Sequence, residues 1–138
     1  MAREHIETVR EYWAASDRAD WEAAGRCIGD GYTWVDHTLG VAPTDLDVAL
    51  EEAQAWSDQT FEITQAFDAT DGTLIVQATV TRTLTGRWRS VEPQGQRVSN
   101  PVCIIFRFDE QGLIVLEESY EDALAVMRQL GALPATSP

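Results

Sequence analysis

Three short stretches of this chain hold the side chains best suited to chemistry. The first is Tyr32-Thr33-Trp34-Val35-Asp36-His37. Read as a strand, it puts Tyr32, Trp34 and Asp36 on one face and Thr33, Val35 and His37 on the other. The second is the alternating run from Thr73 to Trp88, where Arg82 shares a face with Leu74, Val76, Ala78, Val80 and Leu84. The third lies near the end, where Glu117 and Ser119 share a face and Tyr120-Glu121-Asp122 follows. A carboxyl group kept among apolar side chains is pushed toward its neutral form and becomes suited to proton transfer near neutral pH. An arginine facing it has two possible effects. It can pair with the carboxylate and weaken it as a base, or it can hold an oxygen that gains negative charge. Asp36 and Arg82 admit both readings, an acid/base pair or a structural ion pair.

The other candidates also carry alternatives. His37 points away from Asp36 on a regular strand, as a surface or interface residue, unless loop geometry turns it inward. His5 lies in a first helical turn and is expected to be solvated. Asp122 is either functional or part of a capping box, Ser119-Tyr120-Glu121-Asp122, that opens a final helix and also occupies Ser119. Glu117 is a substitute carboxylate, whereas Glu118 and Glu121 read as solvated. Trp13 reads as core, Trp34 and Trp56 as pocket wall, and Trp88 as a ring near the pocket mouth. No cluster has metal-ligand spacing, no glycine-rich loop would cradle a phosphate, and no serine sits in a nucleophile elbow. No metal and no cofactor are expected.

These residues need elements to hold them. Ile6, Val9 and Trp13 recur at helical spacing and predict a helix over about Arg3–Ser16. Asp20 caps a second short helix through Trp21, Ala24 and Ile28, and Gly29-Asp30-Gly31 predicts a turn. Pro43-Thr44-Asp45 opens a third helix carrying Leu46, Ala49, Leu50, Ala53 and Trp56. The period then changes to two. Strands follow through Phe61, Ile63 and Phe67, over Thr73–Trp88, over Arg97–Asp109 and over Leu113–Ser119. Asp71-Gly72 and Glu110-Gln111-Gly112 are the turns, and Glu92–Gln96 is a loop. A final helix over about Glu121–Leu130 ends at Gly131. Helices first and antiparallel strands later mean α+β. The expected architecture is a cone-shaped α+β barrel, a curved, mostly antiparallel sheet around the N-terminal helices with a central pocket. Residues 1–131 form one domain and 132–138 a tail.

Composition agrees. The chain has 138 residues, 44% of them hydrophobic, which is enough for one real core. With 23 acidic and 10 basic residues, its net charge is −13, so it repels nucleic acid and anionic membranes. The two cysteines, Cys27 and Cys103, are distant and read as buried thiols. MAREHIETVREYW is charged, and no run approaches the roughly 18 apolar residues of a membrane helix, so a cytoplasmic location is expected.

Several pieces, in this order and spacing, resemble one known group. They are the amphipathic helix ending in Trp13, the Tyr32–His37 strand, Trp56-Ser57-Asp58, Thr83-Leu84-Thr85-Gly86, Pro93-Gln94-Gly95-Gln96-Arg97-Val98, Tyr120-Glu121-Asp122 and Gln129-Leu130-Gly131. The chain resembles the SnoaL-like polyketide cyclases of the nuclear-transport-factor-2-like superfamily from Ile6 to Gly131. The resemblance implies cofactor-independent, aldol-type acid/base chemistry on an apolar, polyketide-like small molecule. Epoxide hydrolases of the same fold use two aspartates and an arginine. Their arginine falls on Arg82, but their aspartates fall on Leu84 and Ser119, which argues against that activity. The implied pocket holds Trp34, Asp36, Arg82, Leu84 and Ser119, with Asp36 handling the proton, Arg82 the developing charge, and His37 as a further candidate. Trp56, Trp88 and Glu117 complete the expected ligand contacts. The alternatives are a non-catalytic, dimeric small-molecule-binding protein, and a hydrolase or dehydratase using Glu117 or Asp122. A homodimer through the outer sheet face is expected.

Overall fold

The computed structural model describes residues 4–38, 41–44 and 51–132. Its elements are α1 (His5–Asp17), α2 (Trp21–Gly25), β1 (Ile28–Asp36), β2 (Val41–Thr44), β3 (Trp56–Asp68), β4 (Leu74–Leu84), β5 (Arg97–Phe108), β6 (Ile114–Glu121) and α3 (Ala123–Gln129). One six-stranded sheet runs in the order β2-β1-β6-β5-β4-β3. Strands β3 to β6 form an antiparallel meander. β1 joins it parallel to β6, so the N-terminal strand and the last strand lie side by side. This is the curved α+β architecture expected from the sequence.

The alternation read from β4 and β5 holds. Leu74, Val76, Ala78 and Val80 of β4, and Val102, Ile104 and Phe106 of β5, are buried together. Against them α1 packs Val9, Tyr12, Trp13 and Ala15, while α2 adds Ala23 and Ala24. Trp13 stacks on Phe61 of β3 with centroids 4.0 Å apart. A second cluster, containing Trp56, Leu84, Trp88, Val98, Val126 and Leu130, lies where α3 covers the other end of the sheet.

Several local expectations need correction. Ile28 and Gly29-Asp30-Gly31 belong to β1 rather than to a helix end and a turn. The pairing with β6 restores the strand, and a register shift between Ile28 and Thr33 absorbs the irregularity, with Gly31 at φ +78°. Pro43-Thr44 lies in β2, paired with β1, rather than opening a helix. Residues 51–53 are helical, but Trp56 starts β3. The predicted helix positions Leu46, Ala49 and Leu50 lie outside the described residues, as do 133–138 of the predicted tail. β4 stops at Leu84, and Trp88 sits in an isolated bridge to Val91. α3 is capped by Asp122, whose Oδ1 accepts from the Ala125 amide at 3.0 Å, so Ser119 remains in the strand. Both cysteines are free thiols; Cys27 is buried and Cys103 half-buried.

Candidate functional site

Period-two alternation aims two triplets inward. β1 contributes Tyr32, Trp34 and Asp36, and β6 contributes Glu117, Ser119 and Glu121. Their parallel register sets Trp34 beside Glu117 and Asp36 beside Ser119. α1 lays Tyr12, Trp13 and Ser16 across them, while Trp56, Phe61, Val80 and Arg82 close the far side from β3 and β4. The space enclosed is a cavity of ≈ 140 Å³ whose wall includes the rings of Tyr12, Trp13, Tyr32, Trp34, Trp56, Phe61 and Trp88.

Glu117 lies at one end. It is 9% exposed, and its Oε1 accepts from the Tyr32 hydroxyl at 2.9 Å. The Tyr12 hydroxyl also bonds to it. Burial raises the Glu117 pKa from 4.5 to about 7, and the two hydroxyls limit that rise by favouring the ionised form. Burial, reinforced by the Glu117 charge, lifts both tyrosines well above 10, so they stay protonated donors. Glu117 is therefore poised to take and return a proton near neutral pH.

Arg82 lies toward the other end. Its guanidinium sits 3.9 Å over the Trp56 ring, and Nη2 is 3.9 Å from Glu121 Oε2. Burial lowers its pKa, while Glu121, Glu52 and Asp36 work in the opposite direction. Glu121 also accepts from Asn100 Nδ2 at 3.2 Å. Among the described residues, the buried Arg82 Nε–H has no hydrogen-bond partner. Along β6, Glu117 and Glu121 are four residues apart, about 13 Å by strand rise, so the Glu117 end and the guanidinium end of the cavity are distinct. Between them lie Asp36, Ser119 and Trp34, whose indole N–H donates to Ser119 Oγ at 3.4 Å. Asp36 is 5% exposed, and its Oδ1 accepts from the Thr38 amide at 3.0 Å. Trp88 closes the rim by donating to Glu52 Oε2 at 2.8 Å.

The cavity thus gathers Asp36, Arg82, Trp34, Trp56, Trp88, Glu117 and Ser119. Two expected residues fall elsewhere. His37 points outward, as alternation requires; its Nε2 is 3.1 Å from Glu118 Oε2, and its ring stacks on Tyr120. Leu84 is fully buried in the cluster under α3 and does not line the cavity. Arg82 has Glu121 as its ion-pair neighbour at 3.9 Å, so Glu121 is a half-buried site residue rather than a solvated one. His5 is not simply solvated either, since it stacks on Phe108 at 3.9 Å. Tyr12 and Glu52 were not expected at all. Tyr12 adjoins the Ile6-Val9-Trp13 stripe, and α1 is buried broadly enough to take it in. Among the described residues, no three His, Cys, Asp or Glu side chains gather as a possible metal site.

A family model described as a SnoaL-like domain matches residues 9–117. The chain belongs to the SnoaL-like domain family. No curated protein sequence matches it. Among solved structures, a candidate SnoaL-like polyketide cyclase from Jannaschia sp. CCS1 superposes with a TM-score of 0.79 at 20% identity, covering 97% of this chain and 99% of that one. AclR, a candidate hydroxylase from Streptomyces galilaeus, gives 0.76 at 24%, covering 96% and 88%. A protein with a ketosteroid isomerase-like fold from Catenulispora acidiphila, solved with trimethylamine, gives 0.72 at 22%, covering 96% and 98%. At these identities the likeness establishes the fold of the SnoaL-like domain.

Proposed function

We propose that this SnoaL-like domain is a cofactor-independent cyclase or isomerase acting on a mostly apolar, polyketide-like carbonyl compound. The observation that carries this reading is Glu117, a buried carboxyl at the cavity wall with a pKa of about 7 and two tyrosine donors. Its carboxylate takes a proton from the carbon next to a carbonyl, and the C–H electron pair passes to that carbonyl oxygen as an enolate. In an aldol-type closure the enolate carbon then forms a C–C bond to a second carbonyl of the same molecule. That carbonyl's π pair becomes an alkoxide stabilised by the positive charge of the Arg82 guanidinium, and the proton held by Glu117 returns to the product. In an isomerisation the proton returns to another carbon of the enolate. Glu117 replaces Asp36 as the proton-handling group, because burial tunes it while Asp36 is engaged with the Thr38 amide. The cavity of ≈ 140 Å³ admits the reacting end of a ligand and leaves the remainder at the mouth.

The test uses 4,4-dimethylpentan-2-one in D₂O and follows exchange of its methylene protons by NMR. Wild-type protein accelerates exchange, Glu117→Gln lowers the acceleration about 10²-fold or more, and Asp36→Asn retains most of it. Undiminished exchange in Glu117→Gln sinks the assignment. A second reading is a non-catalytic small-molecule-binding protein, favoured by the same Tyr12–Tyr32–Glu117 bonds if they serve only to hold the cavity's shape. Ketone binding with no exchange above buffer decides for it. A homodimer through the outer sheet face belongs to either reading, supported by Tyr120, which is 43% exposed there and stacked on His37.

A further inference from the structure

An enolate formed at Glu117 needs a donor on its oxygen. Arg82 is too far to be that donor. It sits beside Glu121, and Glu121 lies about 13 Å from Glu117 along β6. The guanidinium therefore cannot hold the oxygen of the same carbonyl whose α-proton Glu117 takes. The nearer hydroxyls, Tyr12 and Tyr32, are both bonded to Glu117 itself. Ser119 stands between the two ends. It lies two residues from Glu117 on the same face of β6, about 7 Å by strand rise, and it lines the cavity half-buried. A base, an α-carbon, a carbonyl and a donor on its oxygen span about 6–7 Å when each is in contact with the next. A second observation concerns the hydroxyl itself. The Trp34 indole N–H reaches Ser119 Oγ from β1 at 3.4 Å. An indole nitrogen only donates, so Ser119 is the acceptor there and keeps its own proton for another partner. Among the described residues, no group takes that proton. Alternation turns both side chains into the cavity, so a ligand oxygen entering it meets a hydroxyl already turned by the indole.

We propose that Ser119 is a catalytic residue whose Oγ–H holds the carbonyl oxygen of the ketone deprotonated by Glu117, with Trp34 as the positioning residue that orients it. This rests on the proton-transfer reading of the same cavity and supplies its oxygen site. As the C–H electron pair moves onto that oxygen, the ketone becomes an enolate and the hydrogen bond strengthens, since a bond to a charged acceptor is about twice as strong as a neutral one. Ser119 keeps its proton throughout, and Glu117 alone carries the transferred one. The order Glu117, Ser119, Glu121 along β6 then places the acidic carbon, the first carbonyl oxygen and, beside Arg82, the second carbonyl in line.

The test uses 4,4-dimethylpentan-2-one labelled with ¹³C at the carbonyl. In D₂O, Ser119→Ala is expected to slow exchange of the methylene protons on the order of 10²-fold, mainly in kcat, as loss of one oxyanion donor does. Ser119→Thr, which restores a hydroxyl, keeps most of the rate. Trp34→Phe, which keeps a ring without the N–H, slows exchange less than Ser119→Ala does. Binding is read apart from turnover in Glu117→Gln, where the carbonyl resonance moves downfield on binding and the shift is lost when Ser119→Ala is added. If Ser119 only satisfied the indole, Ser119→Ala would lower the melting temperature by circular dichroism and leave both readouts in place. Unchanged exchange in Ser119→Ala, an equal loss in Ser119→Thr, or a downfield shift that survives Ser119→Ala overturns the inference and leaves Glu117 in its role. Full exchange in Trp34→Phe overturns the orienting role of Trp34. A Ser119-dependent shift with no exchange in wild type keeps the oxygen site and sinks the proton-transfer reading. Absence of both exchange and shift sinks both.

Discussion

Glu117 should leave a signature in folding stability that needs no substrate. Its pKa is 4.5 as an ordinary glutamate and about 7 in the folded protein, because burial disfavours its charged form. Between these values the native state holds a proton that the unfolded chain has released. Stability therefore falls as pH rises through this window, and it is level below pH 4.5 and above pH 7. The linkage amounts to about 3 kcal/mol across the window. For a chain of this length that corresponds to roughly 10 °C in Tm. The other 22 acidic residues titrate too, so the informative quantity is a difference between proteins (23 acids in all, less Glu117). Glu117→Gln cannot titrate and can still accept from the tyrosine hydroxyls. Urea denaturation of both proteins from pH 4.5 to 8 should show wild type losing about 3 kcal/mol relative to Glu117→Gln as pH rises. A flat difference, or one of opposite sign, would show that Glu117 is not held protonated by burial and would remove the main support for its role.

Two further outcomes follow from the same geometry. Tyr32→Phe removes a hydroxyl that favours the ionised carboxylate, so the Glu117 pKa should rise above 7 by about one pH unit or more, read from the ¹³Cδ shift in labelled protein. A value that stays near 7 or drops would mean that the 2.9 Å contact does not act on the charge. Sedimentation at micromolar concentration should give a species of twice the 15.3 kDa chain, and Tyr120→Glu should convert it to monomer. A wild-type species at 15.3 kDa would rule out the outer-face dimer.

The strands and their faces were legible because alternation is a local property of the chain. Once Tyr32–His37 and Leu113–Ser119 read as strands, Tyr32, Trp34 and Asp36 had to share a side, and so did Glu117 and Ser119. The outward position of His37 and the absence of carboxylates at Leu84 and Ser119 were readable on the same grounds. Extending that alternation by two residues would have brought in Glu121, but the charged end of a strand reads as solvated until its neighbours are known. What the chain alone did not reveal depends on pairing. The glycines of Gly29-Asp30-Gly31 signal a turn, and only the parallel partner β6 makes them a strand. Pro43-Thr44 signals a helix start, and only pairing with β1 makes it β2.

The balance among the acids was decided in the tertiary structure. Asp36, Glu117 and Glu121 are each one carboxylate in sequence, with nothing local to rank them. Folding brings Tyr12 from α1 and Tyr32 from β1 onto Glu117, which lies 85 residues from Tyr32 in the chain, and removes that group from water. It also stacks Arg82 on Trp56 beside Glu121 and, among the described residues, leaves its Nε–H without an acceptor. A pKa and an unpaired donor depend on which distant groups exclude or replace solvent. The sequence therefore determined the SnoaL-like cone and the side of each strand that faces inward. The tertiary structure decided which distant groups surround Glu117, and its burial beside Tyr12 and Tyr32 is what supports our proposal that it handles the proton.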